Sequence, residues 1–392
     1  MLDTQFAPWP CFTAEEIDAV RRVLHSNRVN YWTGQEGRKF ETEFAAFAKT
    51  RYAIALANGT VALDAALIAL NIRAGDEVVV TPRTFLASVS SVINLGATPI
   101  FADVDRDSQN ITPKSIEAVL TPRTRAVVCV HLAGWPCEMG GILSLAEQHK
   151  FSVIEDCAQA HGALYEGQPV GSFGEIGAWS FCQDKIMTTG GEGGMVTTND
   201  PELWSRMWSY KDHGKSYDAV YEREHPPGFR WVHESFGTNW RMIEIQAAIG
   251  RIQLKRMPDW HARRLEIANV IWDAARQLPG LRVPEVPRHI EHAAYKCYVF
   301  VRPEALAPGW NRDRIQSEIN ALGVPCLAGS CSEVYLEKAF EKTTYRPPVR
   351  LANARELGET SLMFLCHPTL ADDQVAQSCE ALEAVMRKAT RH

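Results

Sequence analysis

One lysine in this chain has neighbours suited to covalent catalysis. Lys185 lies in the run Ala-Trp-Ser-Phe-Cys-Gln-Asp-Lys-Ile-Met-Thr-Thr-Gly-Gly-Glu-Gly-Gly (178–194), between a polar turn and a glycine-rich loop. A lysine amine becomes a useful nucleophile when burial or neighbouring groups favour its neutral form, and an aldehyde cofactor can then hold it as a Schiff base. Because most lysines are solvated surface residues, this hypothesis depends on the residues that surround Lys185.

A carboxylate precedes the lysine at the end of a predicted strand. The apolar run at 151–155 predicts a strand that leads into Asp156, at the mouth of a sheet. There Asp156 would keep a pyridine nitrogen protonated and make the ring an electron sink, although an aspartate here could instead cap a helix. Gln159, three residues later, is expected on the same side of a short helical turn and could hydrogen-bond a ring oxygen.

A phosphate group needs converging hydrogen-bond donors, and two segments offer them. Gly59 and Thr60 occupy a turn between a predicted strand and a predicted helix, which also fits an ordinary strand-to-helix turn. Ser180, five residues before Lys185, would supply another donor, and Phe85 could either stack on a flat ring or pack in the core. Together with the carboxylate, these residues suggest pyridoxal phosphate as the cofactor.

Composition limits the partners and compartments that fit this chain. The 392 residues carry a formal net charge of −6 with no stripe of lysine and arginine, so a nucleic-acid partner is not expected. No apolar run reaches the roughly 18 residues of a membrane helix, and the first residues lack signal-peptide features, so we expect a cytoplasmic protein. The ten cysteines are scattered without zinc-ribbon spacing, which favours reduced thiols and no metal site.

The order of predicted elements indicates an α/β fold. From residue 52 to residue 155, short β-rich runs alternate with helical patterns, which predicts a mainly parallel sheet with helices on both faces. Helical patterns flank Pro258 on both sides, so this proline is predicted to end one helix or begin the next. We therefore expect a large cofactor-binding domain at 1–257, and a linking helix with a smaller α+β domain at 258–392.

These motifs, in this order, resemble the DegT/DnrJ/EryC1/StrS family of pyridoxal-phosphate aminotransferases, often called sugar aminotransferases. The resemblance covers nearly the first two thirds of the chain, at residues 15–24, 34–45, 58–60, 155–162, 180–194 and 239–250. It implies the aspartate-aminotransferase-like fold, known as fold type I, in a homodimer whose two active sites lie at the subunit interface.

The resemblance also implies a role for each candidate site residue. Lys185 would form the Schiff base, and Asp156 would pair with the ring nitrogen. The other positions would serve as follows: Gln159 on the ring face or hydroxyl, Gly59, Thr60 and Ser180 on the phosphate, Phe85 stacked on the ring, Asn239 on the phosphate from the neighbouring subunit, and Arg241 near the substrate. From the sequence alone, Asn239 would normally be an N-cap, because it precedes a predicted amphipathic helix at 242–257.

The reaction expected from the resemblance is a two-stage transamination. The amino group would pass from glutamate, with glutamine as the other donor considered, through pyridoxamine phosphate to a keto sugar. A nucleotide-linked sugar is expected, in cell-surface polysaccharide, lipopolysaccharide or antibiotic sugar biosynthesis. Many members that use nucleotide sugars carry a His-Tyr-Pro-like segment after a Gly-Val-Pro turn, whereas here Gly323-Val-Pro325 is followed by the atypical segment 326–335.

Three alternatives stay open at this stage. A sugar dehydratase of the same fold is disfavoured, because such relatives replace the lysine with histidine. A cyclitol aminotransferase that acts on an inosose fits the same motifs. A pyridoxal-phosphate-binding regulator without turnover would not need the set formed by Lys185, Asp156, Gln159 and Ser180.

Overall fold

The computed structural model describes residues 5–391. Its strands are β1 Tyr52–Leu56, β2 Glu77–Val80, β3 Thr98–Phe101, β4 Thr124–Val130, β5 Ser152–Asp156, β6 Leu164–Tyr165, β7 Gln168–Pro169, β8 Ile176–Ser180, β9 Gly194–Thr198, β10 Leu281–Arg282, β11 Ile290–Glu291, β12 Cys297–Val301, β13 Cys326–Leu327 and β14 Ser361–Phe364. Its α-helices are α1 Ala14–His25, α2 Glu36–Phe47, α3 Gly59–Ala69, α4 Ala87–Asn94, α5 Pro113–Glu117, α6 Met139–His149, α7 Pro201–Tyr210, α8 Tyr217–Tyr221, α9 Glu244–Arg276, α10 Arg312–Ala321, α11 Ala352–Thr360 and α12 Asp372–Ala389.

A seven-stranded sheet forms the centre of the molecule, with strand order β1-β9-β8-β5-β4-β2-β3. The pairs from β8 through β5, β4 and β2 to β3 are parallel, and only β9 runs antiparallel to its neighbours β1 and β8. The prediction of a mainly parallel sheet is therefore confirmed. In such a sheet the carboxyl ends of neighbouring strands meet at one edge, so Asp156 and Ser180 end adjacent strands side by side.

Helices cover both faces of this sheet. Along β1, Ile54 and Leu56 pack into the core that contains α3 and α4, whereas Ala53 and Ala55 pack into the core beneath α2 and α9. This alternation follows from the two-residue period of a strand, which sends successive side chains to opposite faces. The prediction of helices on both faces is confirmed. Among the described residues, none of the helices combines the length and apolar character that crossing a membrane requires.

A smaller antiparallel sheet, with order β10-β12-β14-β13, lies in the C-terminal part of the chain. Its core includes side chains from α10, α12 and the second half of α9. Strands β11, β6 and β7 form a third, short antiparallel sheet. The C-terminal elements thus have the α+β character that the sequence predicts.

The prediction of a helix break at Pro258 is wrong. Helix α9 runs without interruption from Glu244 to Arg276 and contains Pro258 in its interior. Pro258 is exposed, so the hydrogen bond that a proline cannot donate is lost on the solvent side, where water can replace it. The domain boundary at 257/258 consequently falls inside one helix and stays a prediction.

Asp103 joins the two sheets by capping a distant helix. Its carboxylate accepts hydrogen bonds from the backbone N–H groups of Asn353 and Ala354, both at 3.0 Å, in the first turn of α11. The residue before that helix, Leu351, has no side chain able to cap it. Asp103 therefore satisfies amide donors that the helix itself leaves free.

We expect Asp103→Ala to lower the free energy of unfolding by about 1 to 2 kcal/mol, the usual cost of losing a side-chain cap. Urea unfolding followed by circular dichroism measures the change. The exposed Glu117→Ala is the control and should shift the free energy by less than about 0.5 kcal/mol. Equal stability of Asp103→Ala and wild type would contradict the capping role.

Candidate active site

A cavity of about 560 Å³ opens at the carboxyl ends of β5 and β8, beside the first turn of α3. It brings together seven of the nine residues predicted for the site: Gly59, Thr60, Phe85, Asp156, Gln159, Ser180 and Lys185. Another depression of about 550 Å³, between α2 and α7, contains none of them. The chemistry-bearing residues therefore share one cavity although up to 126 positions of sequence separate them.

Asp156 is buried at the end of β5 and is held by two hydrogen bonds. Ser88 Oγ donates to Oδ2 at 2.8 Å, and the backbone N–H of Ala158 donates to Oδ1 at 3.1 Å. Burial raises the pKa of Asp156, although these bonds and the charge of Lys185 oppose the rise. The residues directly after Asp156 form a turn rather than a helix, so Asp156 does not act as a helix cap. A cation placed against this carboxylate would be strongly stabilised.

Gln159 is fixed through its side-chain oxygen. The backbone N–H of Ala133 donates to Gln159 Oε1 at 3.0 Å, so the two Nε2 hydrogens remain as donors for a ligand. Gln159 is itself buried and lines the cavity. The segment that carries it is a turn rather than part of a helix.

The start of α3 and the end of β8 form an anion cradle. Asn58 Oδ1 caps the helix by accepting from Val61 N–H at 3.0 Å, which leaves the N–H groups of Gly59 and Thr60 free of intrahelical partners. A Cβ on Gly59 would lie 2.6 Å from Ser180 Cβ, so only glycine lets the helix approach this strand. Helix N-termini of this kind bind phosphate through backbone donors and the helix dipole.

Lys185 points its amine toward two side chains near the cavity. Its Nζ lies 3.6 Å from Asp184 Oδ1 and 5.4 Å from the ring centre of Tyr295, whose hydroxyl donates to Asp184 Oδ2 at 2.6 Å. Partial burial would raise the pKa of Asp184, but Lys185, the Tyr295 hydrogen bond and Lys296 together lower it. No sequence motif predicts the pairing of Asp184 with Tyr295, because 111 positions separate the two residues.

Trp9 forms a hydrogen bond with the backbone of Lys185. Its indole N–H donates to the carbonyl oxygen of Lys185 at 2.8 Å, across 176 positions of sequence. The Trp9 ring packs edge-on against Trp260 at 5.1 Å, and the guanidinium of Arg264 lies 5.0 Å from it. The N-terminal segment is thereby fastened to the peptide of the predicted nucleophile, a contact that no local sequence signal indicates.

Two predicted site residues lie outside the cavity. Arg241 donates from Nη1 to Asp212 Oδ1 at 2.6 Å, and Asn239 Oδ1 accepts from the Arg241 backbone N–H at 3.4 Å. The prediction that Asn239 opens a helix is wrong, because α9 begins only at Glu244, and Asn239 and Arg241 instead form isolated β-bridges with Asp212 and Leu56. Phe85 lines the cavity, with 70% of its surface exposed.

A buried histidine and glutamate stiffen the strand behind Asp156. His131 accepts from Cys137 N–H at Nδ1, so its other nitrogen carries the proton donated to Glu155 Oε2 at 3.0 Å. The Glu155 carboxylate also accepts backbone N–H bonds at 2.8 to 2.9 Å from Gly171, Phe173 and Gly174. Together with Cys157, these two residues form a geometry that could hold a metal ion. However, the ring nitrogens of His131 and the carboxylate oxygens of Glu155 are already engaged in these hydrogen bonds.

These groups fit pyridoxal phosphate on three counts. A buried carboxylate with a raised pKa suits a protonated ring nitrogen, and an amine is available at the same cavity. The donors at the start of α3 suit a phosphate, and a side chain at position 59 would fill the space they enclose.

We expect Gly59→Ala to weaken the binding of pyridoxal phosphate by about tenfold or more, because the added methyl group forces α3 away from Ser180. Spectrophotometric titration of the cofactor-free protein measures the affinity. Thr60→Ser retains the hydroxyl and the backbone donors, so it should bind the cofactor as wild type does. Unchanged affinity of Gly59→Ala would show that the cradle does not contact the phosphate.

Comparison with known proteins identifies the family. The model of the DegT/DnrJ/EryC1/StrS aminotransferase family matches residues 10–383. The crystal structure of an aminotransferase from Psychrobacter cryohalolentis is 64% identical and superposes with a TM-score of 0.96, over 97% of this chain and 99% of that one.

Two curated relatives extend the similarity. The spore coat polysaccharide biosynthesis protein SpsC of Bacillus subtilis is 37% identical over 98% of both chains. The UDP-N-acetyl-3-dehydro-α-D-glucosamine 3-aminotransferase of Acidithiobacillus ferrooxidans is 34% identical over 96% of this chain and 94% of that protein. The prediction of fold type I is confirmed by the structural relatives. The chain belongs to the DegT/DnrJ/EryC1/StrS aminotransferase family and is a pyridoxal-phosphate-dependent aminotransferase.

Proposed function

We propose that this enzyme transfers the amino group of L-glutamate to a keto sugar carried on a nucleotide, in the biosynthesis of a surface polysaccharide or a related glycoside. The observation that carries the proposal is the convergence of Lys185, Asp156 and the anion cradle on one cavity. The relative from Acidithiobacillus ferrooxidans, whose name gives a nucleotide-linked dehydro sugar as its substrate, supports the sugar class.

Each part of the cavity has a separate task in this proposal. Pyridoxal phosphate supplies the electron sink that stabilises negative charge at the reacting carbon. Gly59, Thr60 and Ser180 would hold its phosphate, and Gln159 Nε2 would donate to the ring or its hydroxyl. Asp156 would hold the proton on the ring nitrogen, with Ser88 keeping the carboxylate in position.

Lys185 would move a proton between the substrate carbon and the cofactor, a step that requires a positioned amine. The hydrogen bond from Trp9 fixes its backbone, and Asp184 with Tyr295 limits where its amine can lie. Because the side chain is only 17% exposed, water has little access to the amine. These contacts hold the proton-transfer group close to its place before substrate binds.

The complete site would need a second copy of the chain. Asn239 and Arg241 do not line the cavity of their own chain, so we assign them to the partner's cavity, where Asn239 would reach the phosphate. Aromatic side chains on the preceding loop support an interface, since Phe229, Trp231 and Phe236 are 75%, 83% and 99% exposed. Large apolar side chains exposed in this way are typical of a surface that a partner covers.

A cyclitol is the second candidate for the amino acceptor. The segment after Gly323-Val-Pro325 lacks the His-Tyr-Pro-like residues common in members that use nucleotide sugars, which favours a different acceptor. Keto sugar nucleotides and scyllo-inosose can be compared directly as acceptors for the pyridoxamine form. If only the inosose restores the visible absorbance, the amino acceptor is a cyclitol rather than a keto sugar.

We expect Lys185→Ala to lose the visible absorbance of the covalently bound cofactor and to lower turnover by about a thousandfold or more, because the proton-transfer group is removed. Absorbance spectra and release of 2-oxoglutarate from L-glutamate measure the two effects. Lys255→Ala, on the exposed side of α9, should retain both. Full turnover with an unchanged spectrum in Lys185→Ala would remove this lysine from the mechanism.

We expect Asp156→Asn to separate stability from activity. Since the folded state raises the pKa of Asp156, the stability of the cofactor-free protein falls as the pH rises from the unfolded-state pKa to the folded-state pKa, and the cost of ionisation is fully present above the latter. The neutral amide should therefore leave the cofactor-free protein at least as stable as wild type at pH 8, measured by thermal unfolding. Turnover should fall by about a hundredfold or more, because the ring nitrogen loses its anionic partner. Equal turnover would contradict the role assigned to Asp156.

A further inference from the structure

Lys296 presents a positive charge beside the active-site lysine. The two amines lie against the same aromatic ring, with Lys296 Nζ at 5.2 Å and Lys185 Nζ at 5.4 Å from the ring centre of Tyr295. Lys296 immediately precedes β12, so it belongs to the small sheet, whereas Lys185 follows a strand of the central sheet. The small sheet thus brings a second cation to the neighbourhood of the reacting amine.

The amine of Lys296 has one polar partner, a neutral one. It donates to Ser330 Oγ at 3.2 Å, and no ion pair joins it to a carboxylate within residues 5–391. The nearby carboxylate of Asp184 is engaged by the hydroxyl of Tyr295 at 2.6 Å and by the amine of Lys185 at 3.6 Å. The charge of the half-buried Lys296 is therefore available to an anion from outside the protein.

Ser330 is held in place rather than free on a loop. Its backbone N–H donates to the hydroxyl of the buried Tyr298 at 2.7 Å. The preceding Gly329 has a φ of +86°, and a Cβ there would lie 2.1 Å from the Tyr298 hydroxyl oxygen. The turn thus requires glycine and fixes Ser330 Oγ next to Lys296 Nζ.

A second cation, Arg83, lies against the ring of Tyr298. Arg83 is fully buried, with its guanidinium 5.3 Å from the ring centre of Tyr298, and it donates to the neutral side chains of Gln109 and Ser361. Burial would raise the pKa of Tyr298, but Lys296, Arg83 and the Ser330 bond lower it. Lys185 and Arg83 thus add positive charge around the Lys296 amine against the negative charge of Asp184, which favours an incoming anion.

We propose that Lys296 Nζ and Ser330 Oγ form a binding site for a carboxylate of the substrate, several bonds away from the carbon that reacts at Lys185. This inference rests on the proposed transamination, and it assigns a use to the atypical segment 326–335, which contributes Ser330. An ammonium and a hydroxyl together satisfy a carboxylate with two hydrogen bonds, one of them charge-assisted. On a chain of net charge −6, such local attraction is what an anionic substrate requires.

Two substrates can supply the carboxylate, and binding to the cofactor-loaded enzyme distinguishes them. Glutarate and butyrate differ by one carboxylate and serve as unreactive analogues of the amino donor. UDP-glucuronate and UDP-glucose differ in the same way and stand for the acceptor. Isothermal titration measures the dissociation constant of each of the four probes for wild type, Lys296→Gln, Lys296→Arg, Ser330→Ala and the exposed control Lys342→Gln.

In wild type, we expect at least one carboxylated probe to bind more tightly than its uncarboxylated counterpart. Lys296→Gln should weaken the binding of that probe by about tenfold, because a charged hydrogen bond is lost. The affinity for the uncarboxylated counterpart should stay unchanged. Ser330→Ala should weaken it less, whereas Lys296→Arg and Lys342→Gln should bind it nearly as wild type does. An effect on glutarate assigns the site to the donor, and an effect on UDP-glucuronate assigns it to the sugar.

Three results would overturn the carboxylate site. They are no preference of wild type for either carboxylated probe, unchanged affinities in Lys296→Gln, and equal weakening of all four probes by that substitution. The proposed function fails separately, if wild type releases no 2-oxoglutarate from L-glutamate or aminates no keto sugar. The titrations use probes that do not react, so they decide the carboxylate site in either case.

Discussion

A buried carboxylate needs a positive partner, and the geometry of a parallel sheet determines where that partner can lie. Asp156 ends β5 at the edge where β8 also ends, and Ser88 and Ala158 hold its two oxygens. Its pKa is raised by burial, so the site is poised for a cation that the folded chain does not fully provide. In the proposed function, the protonated ring nitrogen of pyridoxal phosphate would meet this need.

Contacts from distant parts of the chain hold the cavity together. Trp9 reaches the carbonyl oxygen of Lys185 from the N-terminal segment, and Tyr295 reaches Asp184 from the start of the small sheet. Asp103 caps α11 from the loop after β3, which ties the central sheet to the C-terminal elements. Lys185 is therefore held by contacts from distant segments of the chain.

The small sheet contributes chemistry as well as support. Gly329 and Tyr298 lock the turn that carries Ser330, and Lys296 stands beside it with no carboxylate partner among the described residues. In the proposed arrangement, residues of the central sheet hold the cofactor and residues near the small sheet bind the charged group of the substrate. The central sheet would then determine the type of reaction, and the small sheet would help to select the substrate. This division agrees with the general finding that substrate choice depends on the pocket rather than on the fold.

The sequence by itself determined the parallel sheet, the helices on both faces and seven of the residues that line the cavity, because strand periodicity and short motifs are local properties. It also placed Asp156 at the end of its strand. Only the tertiary structure decided that α9 continues through Pro258, that Asn239 does not cap it, and which residues touch Lys185. Those outcomes depend on solvent exposure and on contacts across 100 or more positions, such as the 176 that separate Trp9 from Lys185, and no local pattern encodes them.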